Sequence, residues 1–158
     1  SSNAIVHQWH SSDTGIGRSP VLFVDIAGDE LKLYTCSSAL LYGTSATGKR
    51  PPEDGVPVIQ YRSGLPADGD MTNFVIQATF GEGGNLKMWM DGNPIVDVDT
   101  PIGYFSDLND GSGRSILGYP HWGLYTTNQM ETDVIYIANP EWGPSDLSTR
   151  IDHPLTIR

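Results

Sequence analysis

Two short segments towards opposite ends of the chain carry the side chains best suited to chemistry. The first is His7–His10, with the sequence HQWH, and the second is Tyr119–Tyr125, with the sequence YPHWGLY. Alternate residues of a β-strand share a face, so the first segment is predicted to present Gln8 and His10 together. The second segment is predicted to present two tyrosines, a histidine and a glycine that leaves room for a ligand, namely Tyr119, Tyr125, His121 and Gly123.

These residue types suit β-elimination from a polymer of uronic acids. The reaction requires a partner for the C5 carboxylate, a base for the C5 proton and an acid for the departing glycosidic oxygen. The amide of Gln8 can hydrogen-bond a carboxylate, the imidazole of His10 belongs to the class that titrates near neutral pH, and the phenol of Tyr125 can donate to an oxygen. His121 and Tyr119 are predicted to support these groups. The scheme uses no metal and no organic cofactor.

Each of these features also has a plainer interpretation. Histidine and tyrosine are common on half-buried strand faces, so both segments also fit an ordinary sheet surface without a ligand. The spacing of the nearby carboxylates fits no calcium-binding loop, so we expect solvated turns and no metal site there. Those carboxylates are Asp97, Asp99, Asp107 and Asp110.

The elements that must position these residues are predicted to be short strands. The chain contains 18 Gly and 11 Pro, and no segment of useful length has the period of a helix. The pair Asp91-Gly92 is the strongest hairpin signal. We therefore predict an all-β fold, a jelly-roll or concanavalin A-like sandwich of two antiparallel sheets, formed as one domain over residues 1–158. The predicted strands are Ala4–Trp9, Pro20–Ile26, Glu30–Cys36, Pro57–Tyr61, Thr72–Phe80, Asn85–Met90, Pro94–Val98, Leu117–Tyr125 and Asp133–Ile137.

The net charge, the apolar runs and the cysteine content exclude several kinds of partner and structure. The formal net charge is −10, with nine Lys and Arg against nineteen Asp and Glu, so we expect no nucleic-acid partner. The same balance opposes tight binding of anionic glycans. No apolar run reaches the roughly 20 residues of a membrane helix, so no membrane span is expected. The single cysteine, Cys36, excludes an intrachain disulfide and is expected to be a small buried apolar residue.

The order of several motifs resembles the jelly-roll polysaccharide lyases of the heparin lyase-like, glucuronan lyase and alginate lyase group. Gln8-Trp9-His10 is similar to the Q-x-H strand of that group, and Tyr119–Tyr125 is similar to its Y-x-K-x-G-x-Y strand. Further similarities to the heparin lyase-like domain follow in the same order along the chain. They lie at Arg18-Ser19-Pro20, Phe74–Phe80, Gly84–Gly92 (GNLKMWMDG) and Asp133–Ala138.

The resemblance implies roles for individual residues. It gives Gln8 contact with the uronate carboxylate, makes His10 the base and makes Tyr125 the acid, with Tyr119 the second choice. It places His121, Tyr119 and Arg18 among the substrate-binding residues. It also implies a secreted, extracellular protein whose partner is a uronate-containing polysaccharide, with a virion or cell surface as the alternative location.

The chain lacks several positively charged residues that the motifs of the group contain. No counterpart of the R-x-E strand precedes Gln8, the motif lysine is replaced by His121, and the arginine that often follows the last tyrosine is replaced by Thr126. One explanation is that strands preceding Gln8 come from an absent segment or from a neighbouring subunit in a homo-oligomer. Another is a non-catalytic, lectin-like glycan binder on the same fold. A third is a structural or virion-decorating module without glycan affinity.

Overall fold

The computed structural model describes residues 3–11, 19–38, 55–67, 70–105, 118–126, 134–135, 137 and 140–144. All regular elements in these ranges are strands, and we number them β1 to β10 in chain order. They are Asn3–Ser11, Leu22–Ala27, Glu30–Thr35, Ser37–Ser38, Val58–Gly64, Phe74–Thr79, Asn85–Met90, Asn93–Asp99, Gly103–Tyr104 and Gly118–Thr126.

Five of these strands form one antiparallel sheet in the order β10-β1-β2-β3-β5. Strands β2 and β3 are joined by a tight turn in which Gly28 has a φ of 67°, a conformation that favours glycine. In β3, intermediate and buried residues alternate strictly, because successive side chains of a strand point to opposite faces. Leu31 and Leu33 are thereby directed into the core.

Three further strands form a second antiparallel sheet in the order β6-β7-β8. The turn between β7 and β8 is made by Asp91 and Gly92, with φ values of 50° and 78°. Positive φ at both central residues defines the hairpin turn whose twist matches that of the flanking strands. The two short strands β4 and β9 pair in parallel, with Ser37 opposite Gly103 and Ser38 opposite Tyr104.

The hydrophobic core lies between the two sheets. Leu33 of the five-stranded sheet and Met88 of the three-stranded sheet are both fully buried within it. Trp9 of β1 packs against this core and contacts the Phe80 ring, with centroids 5.1 Å apart, so β1 is anchored to both layers. The remaining buried members are Val21, Leu22, Val24, Leu31, Leu86, Ile102 and Tyr104.

The predicted all-β sandwich of antiparallel sheets is confirmed, and Cys36 is buried as expected. One predicted strand is wrong: Val134, Ile135 and Ile137 lie outside any strand, and Val134 is 69% exposed. The apolar alternation of Asp133–Ile137 expresses a strand preference, but a strand also needs a neighbour to hydrogen-bond, and the described residues supply none here. The short parallel pair of β4 and β9 was not predicted, because two-residue strands leave no periodic signal.

Gly118 gives a direct test of the contact between β10 and β1. A Cβ at this position would lie 2.6 Å from the His10 carbonyl oxygen and 2.6 Å from Trp9 Nε1. We expect Gly118→Ala to lower the free energy of unfolding by about 1–3 kcal/mol, the usual cost of overpacking, as measured by chemical denaturation. Gly64→Ala on β5 is the matched control, because a Cβ there meets open space. Equal stabilities for the two variants would contradict this packing.

Candidate functional site

The pairing of β1 with β10 brings the two chemically suggestive segments together. In the antiparallel register Gln8 lies opposite His121, and His10 lies opposite Tyr119. Directly opposed residues of neighbouring strands point to the same face of the sheet. We call these four residues the β1–β10 cluster.

Ring contacts link three members of the β1–β10 cluster, His10, Tyr119 and His121. The rings of His10 and Tyr119 have centroids 6.2 Å apart, and those of Tyr119 and His121 have centroids 4.7 Å apart. Tyr119 therefore lies between two imidazoles, one across the strands and one two residues along its own strand. Tyr119 is also 46% exposed, so the cluster is open to a ligand.

The cluster lies on the face of the five-stranded sheet opposite the core. Trp9 and Leu22 are paired and both contact the core, whereas their neighbours Gln8 and Phe23 are paired on the other side. Alternation along each strand requires this division. We call the side that carries Gln8 the open face.

Tyr125 lies on the same open face, four residues from His121 along β10, as alternation predicts. The register shifts between Ile5 and His7, where one residue of β1, Val6, is opposed by two of β10, and Val6 packs against the core. Beyond this bulge Tyr125 lies opposite Ile5 and is 61% exposed. Gly123, within the irregularity, has a φ of 139°, which side chains other than glycine rarely adopt, and the position of its missing Cβ is open space.

The open face continues across β2, β3 and β5 with residues that the motif search did not select. Phe23 stacks on Tyr34, with centroids 4.7 Å apart and ring planes 11° apart. The next row contains Asp25, Lys32 and Arg62, which are paired in register across the three strands. Asp25 could have been found from the sequence, because it is the one charged residue in the apolar run PVLFVDI.

The two cations of this row are partly neutralised by Glu30, which lies two residues from Lys32 on β3. Lys32 Nζ lies 2.8 Å from Glu30 Oε2, and Arg62 Nε lies 3.7 Å from Glu30 Oε1. The hydrogen bond from Lys32 lowers the pKa of Glu30. Burial raises the pKa of Asp25, although the charge of Lys32 opposes that change.

Two further predictions concern the burial of β10 side chains and the position of Arg18. Trp122 and Leu124 were predicted to enter the core, which is wrong: they are 40% and 37% exposed, and no described residue of β10 belongs to the core cluster. Strand β10 is the last strand of its sheet. Arg18, a predicted substrate contact, lies outside the described residues.

The described residues hold no group of three or more His, Cys, Asp or Glu side chains able to bind a metal ion. Within the same part of the chain there is also no helix with the length and apolar character of a membrane span.

Comparison with known proteins identifies the family. The family model described as polysaccharide lyase matches residues 1–140, which is most of the 158-residue chain. The chain belongs to the polysaccharide lyase family. No curated protein and no solved structure gave a significant match. Membership supports lyase action on a polysaccharide, and the matched region contains both β1 and β10.

In this family member, His7 holds the edge strand that carries half of the β1–β10 cluster. Its Nδ1 lies 3.0 Å from the carbonyl oxygen of His121, so Nδ1 carries the hydrogen and donates it. The same imidazole packs against the Trp122 ring, with centroids 5.5 Å apart. Burial lowers the pKa of His7, and the bond to the carbonyl oxygen only partly offsets this effect.

His7 should therefore make the fold sensitive to acid. Its pKa is lower in the folded chain than in the unfolded chain, so below about pH 6.5 the unfolded chain binds a proton that the folded chain does not. The stabilising effect is complete at higher pH and is lost as the pH falls through the folded value. We expect the melting temperature to fall less on acidification in His7→Asn, whose amide can still donate to the carbonyl. Identical declines in wild type and variant, measured between about pH 7.5 and pH 5.5, would exclude this role for His7.

Proposed function

We propose that this polysaccharide lyase cleaves a uronic-acid-containing polysaccharide by β-elimination at the β1–β10 end of the open face. The observation that carries the proposal is the strand register, which sets Gln8, His10 and Tyr125 on one face. Residues more than 100 positions apart in the chain thereby form one surface with an amide, imidazoles and phenols. This set covers all three tasks of the elimination.

The proposed reaction balances without water or a cofactor. Gln8 donates a hydrogen bond from its amide to the C5 carboxylate and so stabilises the negative charge that develops as C5 loses its proton. A ring nitrogen of His10 removes that proton, and the electron pair of the C5–H bond becomes the C4–C5 double bond. The C4–O4 bond breaks, and O4 takes a proton from the phenol of Tyr125. The products are a shortened chain with a free hydroxyl and a chain that ends in an unsaturated uronate.

The positions along β1 suit these roles. Gln8 lies between the other two groups: His10 is two residues away, about 7 Å along the strand, and Ile5, which faces Tyr125, is three residues away, about 10 Å. A uronate held at Gln8 would therefore have the base on one side and the acid on the other. Tyr119 and His121, opposite His10 and Gln8, are assigned to substrate contact.

The motif order supports the heparin lyase-like, glucuronan lyase and alginate lyase group as the finer assignment. A polymeric substrate of this kind is met outside the cell, so we also assign the protein to the extracellular space. Arg18 remains a proposed substrate contact on the resemblance alone.

A second candidate function is glycan binding without turnover. The observation that favours it is the shortage of available positive charge near the site. His121 stands where the motif of the group has a lysine, and Lys32 on the open face is already paired with Glu30. A carboxylate held only by neutral donors is a weaker electron sink, which slows proton removal more than it weakens binding.

Turnover of polyuronates distinguishes these two functions. We expect absorbance of the unsaturated product to rise during incubation with alginate, glucuronan or heparin. Both His10→Ala and Tyr125→Phe should lower kcat by about 10²–10⁴-fold, the usual contribution of a general base or acid. Tyr119→Phe, which keeps the ring between the two imidazoles, should change kcat by less than about tenfold.

The control for His10→Ala is His7→Asn, which alters the imidazole on the opposite face of the same strand. Full activity in His10→Ala would remove His10 from the mechanism. A flat trace from folded wild-type protein on the whole panel would exclude lyase activity on these substrates and leave the binding function.

A further inference from the structure

A second group of residues on the open face, which begins one strand away from the β1–β10 cluster, has the composition of a sugar-binding surface. The stacked pair Phe23 and Tyr34 lies in the same cross-strand row as Gln8, because Gln8 is paired with Phe23, and Phe23 with Tyr34. Two strand spacings of about 4.8 Å separate Gln8 from Tyr34, which places them about 10 Å apart. A glycan that crosses the strands from Gln8 would reach Tyr34 beyond Phe23, which is buried.

Tyr34 is the accessible member of the stacked pair, and its ring is held in a fixed orientation by Phe23. Phe23 is 8% exposed, although it lies outside the core cluster, and Tyr34 is half-buried. The near-parallel contact at 4.7 Å holds the Tyr34 ring against its neighbour. An ordered aromatic ring of this kind can pack against the C–H groups of a sugar without first losing side-chain freedom.

Arg62 supplies a cation on the neighbouring strand, diagonally across from Tyr34. It lies opposite Lys32, which is two residues from Tyr34 on the same face of β3. The two cations differ in availability: the Lys32 side chain is 13% exposed and is engaged with Glu30 at 2.8 Å. The Arg62 side chain is 53% exposed, and its contact with Glu30 is long, at 3.7 Å. The remaining N–H groups of the guanidinium can therefore donate two parallel hydrogen bonds to a carboxylate, in a bidentate contact.

We infer that Tyr34 and Arg62 form a second uronate subsite, in which the ring of Tyr34 contacts the sugar and the guanidinium of Arg62 binds its carboxylate. The inference rests on the proposed function for the class of glycan. It also gives the polymer a direction, across the strands from β10 towards β5. Binding at this subsite acts on affinity and not on the chemical step, because it is remote from His10 and Tyr125.

The test measures the affinity of a polyuronate for protein that carries His10→Ala, so that no substrate is consumed. Isothermal titration with alginate, glucuronan and heparin identifies the glycan that binds, and that glycan is then titrated into the Tyr34→Leu and Arg62→Gln variants of the same background. We expect Kd to rise about tenfold for Tyr34→Leu, which keeps apolar volume but removes the ring. For Arg62→Gln we expect a rise of about fivefold at low salt, and added salt should reduce the difference.

Lys87→Gln is the matched control for charge. Lys87 lies on the three-stranded sheet, pairs with Asp97 at 3.5 Å and is 38% exposed, so its loss changes the net charge equally without touching the open face. Melting temperatures near that of the parent establish that each variant is folded. Tyr34→Phe should keep the parent affinity if the ring alone makes the contact.

Several results would overturn the second subsite. These are an unchanged Kd in Tyr34→Leu and Arg62→Gln, an equal loss in Arg62→Gln and Lys87→Gln, or no binding of any glycan on the panel. Failure of the proposed function is a separate observation: a wild-type protein that binds the glycan, loses affinity in Arg62→Gln and yet produces no unsaturated product would retain the subsite and exclude the lyase.

Discussion

The structure depends above all on the double pairing of β1, which is hydrogen-bonded to β10 on one side and to β2 on the other. The β10 contact joins residues 114 positions apart at His7 and His121, so closing it is costly in chain entropy. Trp9 offsets part of this cost by packing against the core and against Phe80. Glycine at position 118 lets β10 approach the Trp9 indole closely. Without this pairing, the imidazoles and phenols of the two segments would not meet.

The bulge at Val6 shows how a local irregularity can serve the site. A regular β1 would keep Val6 on the open face with Gln8 and place Ile5 on the core side. The bulge instead lets Val6 pack against the core and sets Ile5 opposite Tyr125 on the open face. Bulges commonly re-aim side chains next to functional sites, and here the effect is to leave a gap of about three residues between Gln8 and the level of Tyr125.

The open face combines neutral donors at one end with compensated charges at the other. The β1–β10 cluster carries no Lys or Arg, whereas Asp25, Glu30, Lys32 and Arg62 lie together on β2, β3 and β5. An acidic chain with such a face would repel a densely charged polyanion at long range and bind a uronate only through close, directed contacts.

Much of this could be predicted from the sequence, for identifiable reasons. Period-2 alternation, the Asp91-Gly92 turn and the abundance of glycine and proline are local properties, so the strands and the all-β class followed from them. The same alternation placed Gln8 beside His10, and Tyr119 beside His121, on their respective strands. It could not distinguish a paired strand from an unpaired one, which is why Asp133–Ile137 was predicted wrongly.

The tertiary structure alone decided which strands are neighbours, and therefore which residues share a surface. The register that sets Gln8 against His121, the bulge that sets Ile5 opposite Tyr125 and the row that adds Tyr34 and Arg62 all depend on contacts between distant segments. Trp122 and Leu124 are exposed for the same reason, since burial depends on whether a second layer covers the strand. The sequence by itself determined what each strand could present. Pairing and packing between segments far apart in the chain determined which side chains of different strands share a surface. The free energy of these contacts depends on both partners, so it cannot be read from the local pattern of either segment.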